Sequence, residues 1–303
     1  MPKHNKLSPS ASILLLLFFC ALPVRAEWVE WLSDSRLAVQ FDDNINTSLS
    51  SAQAEEDYVW SSFLSGGRAY QLDTYTRGYI NALFSGDLHH RFALLDQYTL
   101  GGNALLTHKF GLGWAAPVIS LGTSAESIFS SSELRSGEKI QGSLRLSKWL
   151  HHDVLHAHIA YRFDYRDGPD LTHPEHPELA AIPGSVFDIQ GHTVEALLNL
   201  SLSDQLRFNV SYGWRWGDVT SNNMLSSVYG SVLGSVDAVH KDDALPGWIY
   251  RTYGTTQTYD VGLSYSFWGG HGLSTLGYRH LETQALGADY DSNQVRLGVN
   301  YTY

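Results

Sequence analysis

Hydrophobic and polar residues alternate with a period of two along most of this chain. The pattern is strictest between Leu155 and Arg166, where every second residue is apolar and the intervening residues are mostly His, Arg and Asp. Successive side chains of a β-strand point to opposite faces, so this segment predicts a strand with one apolar and one polar face. The same alternation recurs at 206–216 and at 293–303.

Twelve such segments follow one another, separated by turn residues. The predicted strands are 36–46, 58–72, 75–84, 97–110, 118–129, 140–149, 155–166, 187–202, 206–216, 258–267, 273–284 and 293–303. Short turns fall near residues 73, 113, 152, 204 and 270, and longer connections fall between them. Gly66-Gly67 predicts a bulge or bend in the second strand.

Two of the longer connections stand out. Residues 168–183 contain four prolines, which cannot continue a sheet. The longest predicted loop is 218–254, whose middle, 226–239, is small and apolar enough to be tucked inside a barrel. Residues 27–34 form a short lead that carries Trp28 and Trp31, which suit an interfacial position.

These features predict an all-β fold, a transmembrane antiparallel up-and-down β-barrel of about 12 strands over residues 27–303. Each strand has the ~9–11 residues needed to cross a bilayer when tilted. Closure of the sheet satisfies every backbone polar group in lipid. A soluble β-sandwich would also alternate, but its apolar faces should not be so aromatic at the strand ends.

The two ends of the chain indicate export and insertion. Residues 1–26 read as a cleaved signal peptide, with Lys3 and Lys6, a short apolar run, and a small-x-small site ending at Ala26. The final strand presents an apolar face that ends in Val299, Tyr301 and Tyr303.

This final strand resembles the carboxy-terminal signal of Gram-negative outer-membrane β-barrels, which closes the barrel and is recognised by the insertion machinery. The resemblance implies location in the cell outer membrane, surrounded by lipid and lipopolysaccharide, after contact with periplasmic chaperones and the insertion machinery. Twelve-stranded members of that class include substrate-selective channels, a phospholipase and a lipid A deacylase.

Composition excludes several other classes. After the predicted signal, no stretch of about 18 apolar residues could form a membrane-spanning helix. The only cysteine, Cys20, lies in the signal, so disulfides are not expected. Removing the three basic residues of the signal changes the formal charge from −11 to −14. Such acidity argues against a nucleic-acid partner.

The polar faces converge on the barrel interior, so their charged side chains are candidates to line a lumen. The candidate lumen-lining residues are Arg36, Arg77, Lys109, Glu126, Arg145, His156, His158, Arg162, Asp164, Arg166, Glu195, Arg207, Arg215, Asp260 and Arg296, with Asp42 as a further acid. Barrels of about eight strands are filled by side chains and those of about sixteen hold a wide channel, so twelve predicts a narrow pore.

Cations outnumber acids on these faces, which predicts a channel for small polar or anionic solutes, such as acidic sugars or organic acids. In an alternative interpretation, the arginines and carboxylates pair into a plug that only holds the wall together. A further alternative places the function in surface recognition or assembly through the extracellular loops. The 218–254 loop would serve this role with aromatic residues that could stack on sugars, namely Tyr229, Trp248, Tyr250 and Tyr253.

A lipid-acting enzyme is the weakest alternative. It would need a nucleophile or base near the outer rim, where His192 and His280 could face outward, but no serine motif accompanies them. His156 and His158 share one wall, but no third metal ligand is indicated. We therefore predict no enzymatic activity, no metal and no cofactor.

The terminal strand generates a test of assembly. Replacing Tyr303 by Asp places a charge where the insertion signal requires an aromatic residue, so the variant should accumulate in the periplasm and be degraded. Heat-modifiable mobility in outer-membrane fractions measures insertion, and a Tyr303→Phe variant is the matched control. Normal insertion of the Asp variant would contradict the assignment of this signal.

Overall fold

The computed structural model describes residues 27–169, 182, 184–224, 236–285 and 289–303. The predicted signal, residues 1–26, lies outside these ranges, as does Tyr229 of the longest predicted loop. No helix in the described ranges is long and apolar enough to cross a membrane.

Twelve long antiparallel strands close into a barrel, and one short strand, β10, pairs beside β11. The strands are β1 (Glu27–Asp42), β2 (Asp57–Gln71), β3 (Thr76–His89), β4 (Gln97–Lys109), β5 (Val118–Ser130), β6 (Gly137–His151), β7 (Leu155–Asp167), β8 (Ile189–Ser201), β9 (Leu206–Asn223), β10 (Ala238–Lys241), β11 (Trp248–Phe267), β12 (Gly272–Ala285) and β13 (Tyr290–Thr302). The predicted all-β, up-and-down barrel is confirmed.

The last strand closes the barrel against the first. β13 pairs with β1 from Asp34↔Thr302 to Asp42↔Gln294, and β9 pairs directly with β11. All neighbouring strands of the barrel are antiparallel, so the strands exchange backbone hydrogen bonds around the closed ring.

The two ends of the barrel differ in their connections. Short turns join β2–β3, β4–β5, β6–β7, β8–β9 and β11–β12, and the longer connections lie at the other end. At the β2–β3 turn, the carboxylate of Asp73 accepts hydrogen bonds from the backbone N–H groups of Tyr75 (2.7 Å) and Thr76 (2.9 Å). A side-chain hydrogen bond with Thr76 is the main cause of the lowered pKa of Asp73. In barrels of this type the short turns face the periplasm and the long loops face outward.

Large apolar side chains are exposed on the outer wall. They include Leu37, Leu64, Ile80, Leu100, Leu121, Leu144, Ile159, Leu198, Val210, Leu263, Leu276 and Leu297. Burying one such side chain away from water contributes about 1.5–3 kcal/mol, so a belt of this size requires an apolar surrounding. Aromatic residues border the belt: Trp31, Trp268, Tyr301 and Tyr303 at the short-turn end, and Tyr58, Trp60, Tyr98, Phe129, Trp214 and Tyr278 toward the long-loop end. This arrangement is that of a lipid-facing wall.

The first strand differs from its prediction at both ends. β1 begins at Glu27 rather than Arg36, because a register irregularity between Trp28 and Glu30 lets it keep pairing with β2 as far as Gln71. It ends at Asp42 rather than Asn46. The side chain of Asn44 donates to the backbone carbonyls of Ser48 and Asp291, which replaces strand pairing by a folded loop.

The predicted bulge at Gly66-Gly67 is wrong. β2 pairs with β1 and β3 through this position without a register shift. A Cβ atom at Gly67 would overlap the backbone carbonyl of Ile80 and the side chain of Asn81. The glycine is therefore needed for close packing on the inner wall rather than for a bulge.

The described residues of the predicted loop 218–254 are largely sheet. β9 continues to Asn223, β11 begins at Trp248, and β10 lies between them in the chain. Sequence alternation missed these strands because both of their faces are buried, so they do not alternate between lipid and water. β3 likewise continues past Phe84 to His89, and β8 begins at Ile189 rather than Phe187.

The strand register can be tested at two adjacent positions of β8. Leu198 is 45% exposed on the outer wall, and Asn199 pairs with Asn209 in register on the inner wall. Leu198→Arg should cost about 2–4 kcal/mol of stability, whereas Asn199→Arg should cost less because its side chain meets the polar lumen. Spin labels at both positions, probed with oxygen and a water-soluble quencher, measure the register. Water-like access at 198 with lipid-like access at 199 would mean a shift of one residue.

Candidate functional site

A cavity of about 290 Å³ lies in the middle of the barrel. Polar side chains from six strands line it: Gln40, Glu195, Asn209, Ser211, Asp260, Arg279, Gln294 and Arg296. The cavity is therefore large and polar enough for a small polar solute or water.

Two carboxylates of the cavity wall are held by neighbouring cations. Asp260 on β11 accepts a hydrogen bond of 2.7 Å from Nε of Arg279 on β12. Glu195 on β8 lies 3.4 Å from Arg162 and 3.5 Å from His158, both on β7. These contacts neutralise the acids on this part of the wall.

A third ion pair spans three strands. Arg215 on β9 reaches over β8 to Asp164 on β7, with 3.3 Å between nitrogen and oxygen, and also donates to the carbonyl of Asp218 at 2.7 Å. Gly191 is the residue of β8 over which the Arg215 side chain passes. A Cβ atom at this position would overlap the guanidinium group of Arg215. Glycine at this position is what allows the pair to form.

Other arginines of the inner wall have neutral hydrogen-bond partners. Arg296 donates to the side-chain oxygen of Gln40 at 2.5 and 3.0 Å. Arg36 donates to Asn300 at 2.9 Å, and a carboxylate oxygen of Asp34 lies 3.7 Å away. The positive charge of Arg296 therefore remains directed into the cavity.

The remaining candidate residues divide into three groups. Arg77 donates to Gln71 at 2.7 Å near the short-turn end, and Glu126 accepts from Ser124 at 3.0 Å. Arg166 lies at the long-loop end, where its guanidinium is 4.7 Å from the ring centre of Phe187. The third group has no ion pair to a carboxylate among the described residues: Lys109, Arg145, His156 and Arg207.

The structure corrects the set of lumen acids and adds a cation. Asp42 is buried at the end of β1, where it accepts hydrogen bonds from Ser292 and Gln294, and so does not line the open cavity. Arg279 was not predicted, although its strand was predicted at 273–284, because Leu273 and Leu281 share its face and leave the apolar side of the strand ambiguous. The sequence feature that indicates its inward direction is alternation: Gly277 and Arg279 alternate with Leu276 and Tyr278, which face outward.

A folded segment covers the long-loop end of the barrel. We call residues 218–223 and 236–253 the cover; they comprise the projecting ends of β9 and β11, strand β10, and the turn after it. Tyr250 and Ala238 in this segment are fully buried, and Val239 and Trp248 pack with Tyr250 in one cluster. The two clusters of buried apolar residues thus lie at this end of the barrel, among the long connections and the projecting ends of the strands.

A buried ion pair clasps the cover to the β5–β6 connection. Arg135 donates to both carboxylate oxygens of Asp242, each at 2.7 Å, and the Asp242 side chain is fully buried. Asn222 on β9 donates to the same carboxylate at 2.7 Å. Nearby, Ser132 donates to Asp243 at 2.6 Å. Charge pairs with two matched hydrogen bonds are the most specific that Arg forms.

The β1–β2 loop holds the cover from another side. The hydroxyl of Ser221 donates to the carbonyl of Thr47 at 2.6 Å, and the backbone N–H of Leu49 donates to Asn223 at 3.2 Å. Asn223 in turn donates to the hydroxyl of Tyr250 at 3.0 Å. The loop and the cover therefore share one hydrogen-bond network.

The positions of these contacts show that the cover crosses the mouth. In the ring of twelve strands, the β1–β2, β5–β6 and β9–β11 connections are spaced at equal intervals. The cover starts at the third of these and contacts the other two. The β7–β8 connection adds Val186 and Phe187, which pack with Leu134, Ala238 and Ile249. Described loops from several sides therefore narrow this end of the lumen.

This arrangement bears on the aromatic residues predicted to stack on sugars. Trp248 is 6% exposed and Tyr250 is 0% exposed, so neither presents a ring to an external partner. Tyr253 is exposed on the outside. Residues 226–235, most of the stretch predicted to be tucked inside, lie outside the described residues.

The outward histidines have structural partners. His192 lies 2.7 Å from the hydroxyl of Tyr161 and stacks on Trp216, and His280 lies 3.0 Å from the side chain of Asn293. Within the described ranges, no group of three or more His, Cys, Asp or Glu residues is placed to hold a metal ion.

Comparison with known proteins supports the fold class. No family model and no curated protein matches the sequence. An outer membrane channel from Pseudomonas putida F1 is similar in structure, with 12% identity, a TM-score of 0.57, and coverage of 93% of this chain and 97% of that one. The KdgM porin (11% identity, TM-score 0.43, coverage 89% and 99%) and the NanC porin (11%, 0.45, 88% and 98%) are more distant in structure. The chain is a twelve-stranded barrel of the outer-membrane type.

The ion pair between Arg135 and Asp242, which we call the clasp, provides a test of whether the cover forms the constriction of the lumen. Removing one partner of a buried ion pair costs about 3–5 kcal/mol, so Arg135→Ala should release the cover from the β5–β6 connection. Single-channel conductance in planar bilayers should rise about two-fold or more, because conduction depends on the narrowest constriction.

The matched control for this test is Arg91→Ala. Arg91 pairs with Glu55 at 3.0 Å at the same end of the barrel, but its side chain is about half exposed. Heat-modifiable mobility establishes that both variants are folded. Conductance of Arg135→Ala equal to that of the native protein would show that the cover does not set the constriction.

Proposed function

We propose that this protein is a narrow outer-membrane channel for small polar solutes, with a preference for anions. The observation that carries the proposal is the polar cavity in the barrel, into which Arg296 points without a carboxylate partner. A barrel of twelve strands lies between the filled and the wide classes, which suits a narrow path.

The charges of the inner wall support the preference for anions. Arg162, Arg215 and Arg279 are paired with carboxylates, which removes the acids Asp164, Glu195 and Asp260 as free negative groups. Lys109, Arg145 and Arg207 have no such partner among the described residues. Low-dielectric walls focus the electric field of these unpaired cations. The charges that line the lumen therefore influence ion selectivity more than the acidic net charge of the whole protein does.

Arginine also suits the class of solute. Its planar guanidinium can hold a carboxylate at two points, which favours organic acids and acidic sugars over inorganic chloride. We further propose that residues 1–26 direct export and that lipopolysaccharide, periplasmic chaperones and the insertion machinery are the partners of the barrel. No catalytic role is included in the proposal.

The ordered cover favours a second candidate function. A mouth narrowed by a buried core and a clasped ion pair would suit a barrel that does not conduct and that presents a rigid surface to a partner. The two candidates differ in one measurable property. A steady current through the refolded native protein in planar bilayers supports the channel, and a silent barrel supports the surface role.

Selectivity provides the quantitative test of the channel. The reversal potential across a potassium chloride gradient should show anion preference in the native protein, and Arg296→Gln should reduce it by removing a positive charge from the cavity. High salt should weaken the preference, since the screening length is ~10 Å at 0.1 M.

Lys148→Gln is the matched control, because Lys148 lies on the exposed outer face of β6 beside Leu146 and Leu150. This variant loses the same charge outside the lumen and should keep the native reversal potential. Cation preference in the native protein would refute the proposed selectivity.

A further inference from the structure

We propose that Arg145, His156, His158 and Arg207 form a binding site for a tetrahedral dianion, of the phosphate or sulfate class, in the periplasmic half of the lumen. The proposal rests on the channel function above and adds a specific site and ligand class to it. It concerns a part of the wall below the cavity that holds Arg296.

The strand register brings the four residues to one wall. On β7, His158 pairs with Ser147 of β6, and Arg145 is the next inward residue of β6. His156 pairs with Asn199 of β8, which pairs with Asn209 of β9, and Arg207 is the next inward residue of β9. All four lie toward the short turns that join β6–β7 and β8–β9.

The contacts agree with this placement. The rings of His156 and His158 have centroids 6.4 Å apart, and His156 also lies 5.0 Å from the ring of Trp149. His156 interacts electrostatically with Arg145 and Arg207, so both guanidinium groups lie within range of the same imidazole. Three strands thus direct basic groups toward one region.

Charge distinguishes this region from the rest of the wall. The side chains of Arg145 and Arg207 have no hydrogen bond or ion pair with another described residue, whereas Arg162, Arg215 and Arg279 each hold a carboxylate. One carboxylate, that of Glu195, lies 3.5 Å from His158, and it also forms an ion pair with Arg162. The two guanidinium groups, each with five N–H donors, are therefore available to bind a solute.

The shape of this donor set favours a tetrahedral oxyanion. A monocarboxylate is planar and is satisfied by one guanidinium fork, whereas phosphate or sulfate can accept hydrogen bonds from several directions. Donors supplied by β6, β7 and β9 come from different directions along the wall, which suits the second geometry. A phosphate monoester would present the same chemistry and could occupy the site while its organic part extends into the cavity.

The histidines make the site sensitive to pH. Either imidazole gains a positive charge when it is protonated, and the groups that face the two rings are Arg145 and Trp149 from β6, Glu195 from β8, and Arg207 from β9. Sulfate keeps its two charges in mildly acidic solution, so its binding should strengthen as the pH is lowered and the histidines become protonated.

The test measures block of the potassium chloride current by added sulfate in the full-length refolded protein. Native protein should show a saturable decrease in current, and Arg145→Gln with Arg207→Gln should weaken the apparent affinity about tenfold or more, which equals about 1.4 kcal/mol. His156→Gln with His158→Gln should retain block at high pH and lose its increase toward low pH. Arg145→Lys with Arg207→Lys keeps the charges and should retain most of the block.

Lys148→Gln is again the control for a charge lost outside the lumen, and heat-modifiable mobility establishes folding of each variant. An anion-selective native channel that sulfate and phosphate do not block would overturn the site but leave the proposed function standing. If the native protein does not conduct, sulfate binding to the refolded barrel is measured by calorimetry instead. Absence of binding there, or binding unchanged in the Arg145→Gln and Arg207→Gln variant, would also overturn it.

Discussion

The structure depends on one constraint: a backbone placed in lipid must satisfy all its hydrogen bonds within itself. Twelve strands meet this requirement because β13 returns to pair with β1 and leaves no open edge in the wall. Once closure is imposed, each wall residue faces either lipid or the lumen, which fixes the alternation. The charged groups then have only the interior in which to lie, so the site follows from the same constraint as the fold.

The position of the core is the second consequence. The wall is a single layer, and its apolar side chains face outward, so they cannot pack against each other as in a soluble domain. Fully buried residues such as Tyr250, Val186 and Ser132 are found instead where the long connections meet. This end of the molecule has the packing of a small globular domain, built from segments that the strands hold around a ring.

Much of the wall was predictable from sequence, because alternation records the contrast between lipid and lumen directly. The segment from Leu155 to Arg166 shows that contrast and became β7 almost unchanged. The cover was not predictable, because its strand segments are buried on both faces, as Ala238, Val239 and Tyr250 show. Without a solvent-exposed face, their sequences do not alternate between polar and apolar residues. Candidate wall charges such as Arg162 and Arg215 were found by the same alternation, but their partners were not. Which arginine meets which acid depends on register and on small residues such as Gly191, which a single sequence does not reveal.

The clasp between Arg135 and Asp242 has a consequence for the order of assembly. Its two residues are 107 positions apart in the chain, and the contact of Thr47 with Ser221 spans 174. Contacts of such separation are slow to form, since the intervening chain must first be ordered. The strands between them place their ends around the ring, so the cover can close only after the correct neighbours have paired. A barrel inserted with one hairpin out of register would bring the wrong loops to the mouth, and completion of the clasp thereby reports that the whole ring has formed correctly.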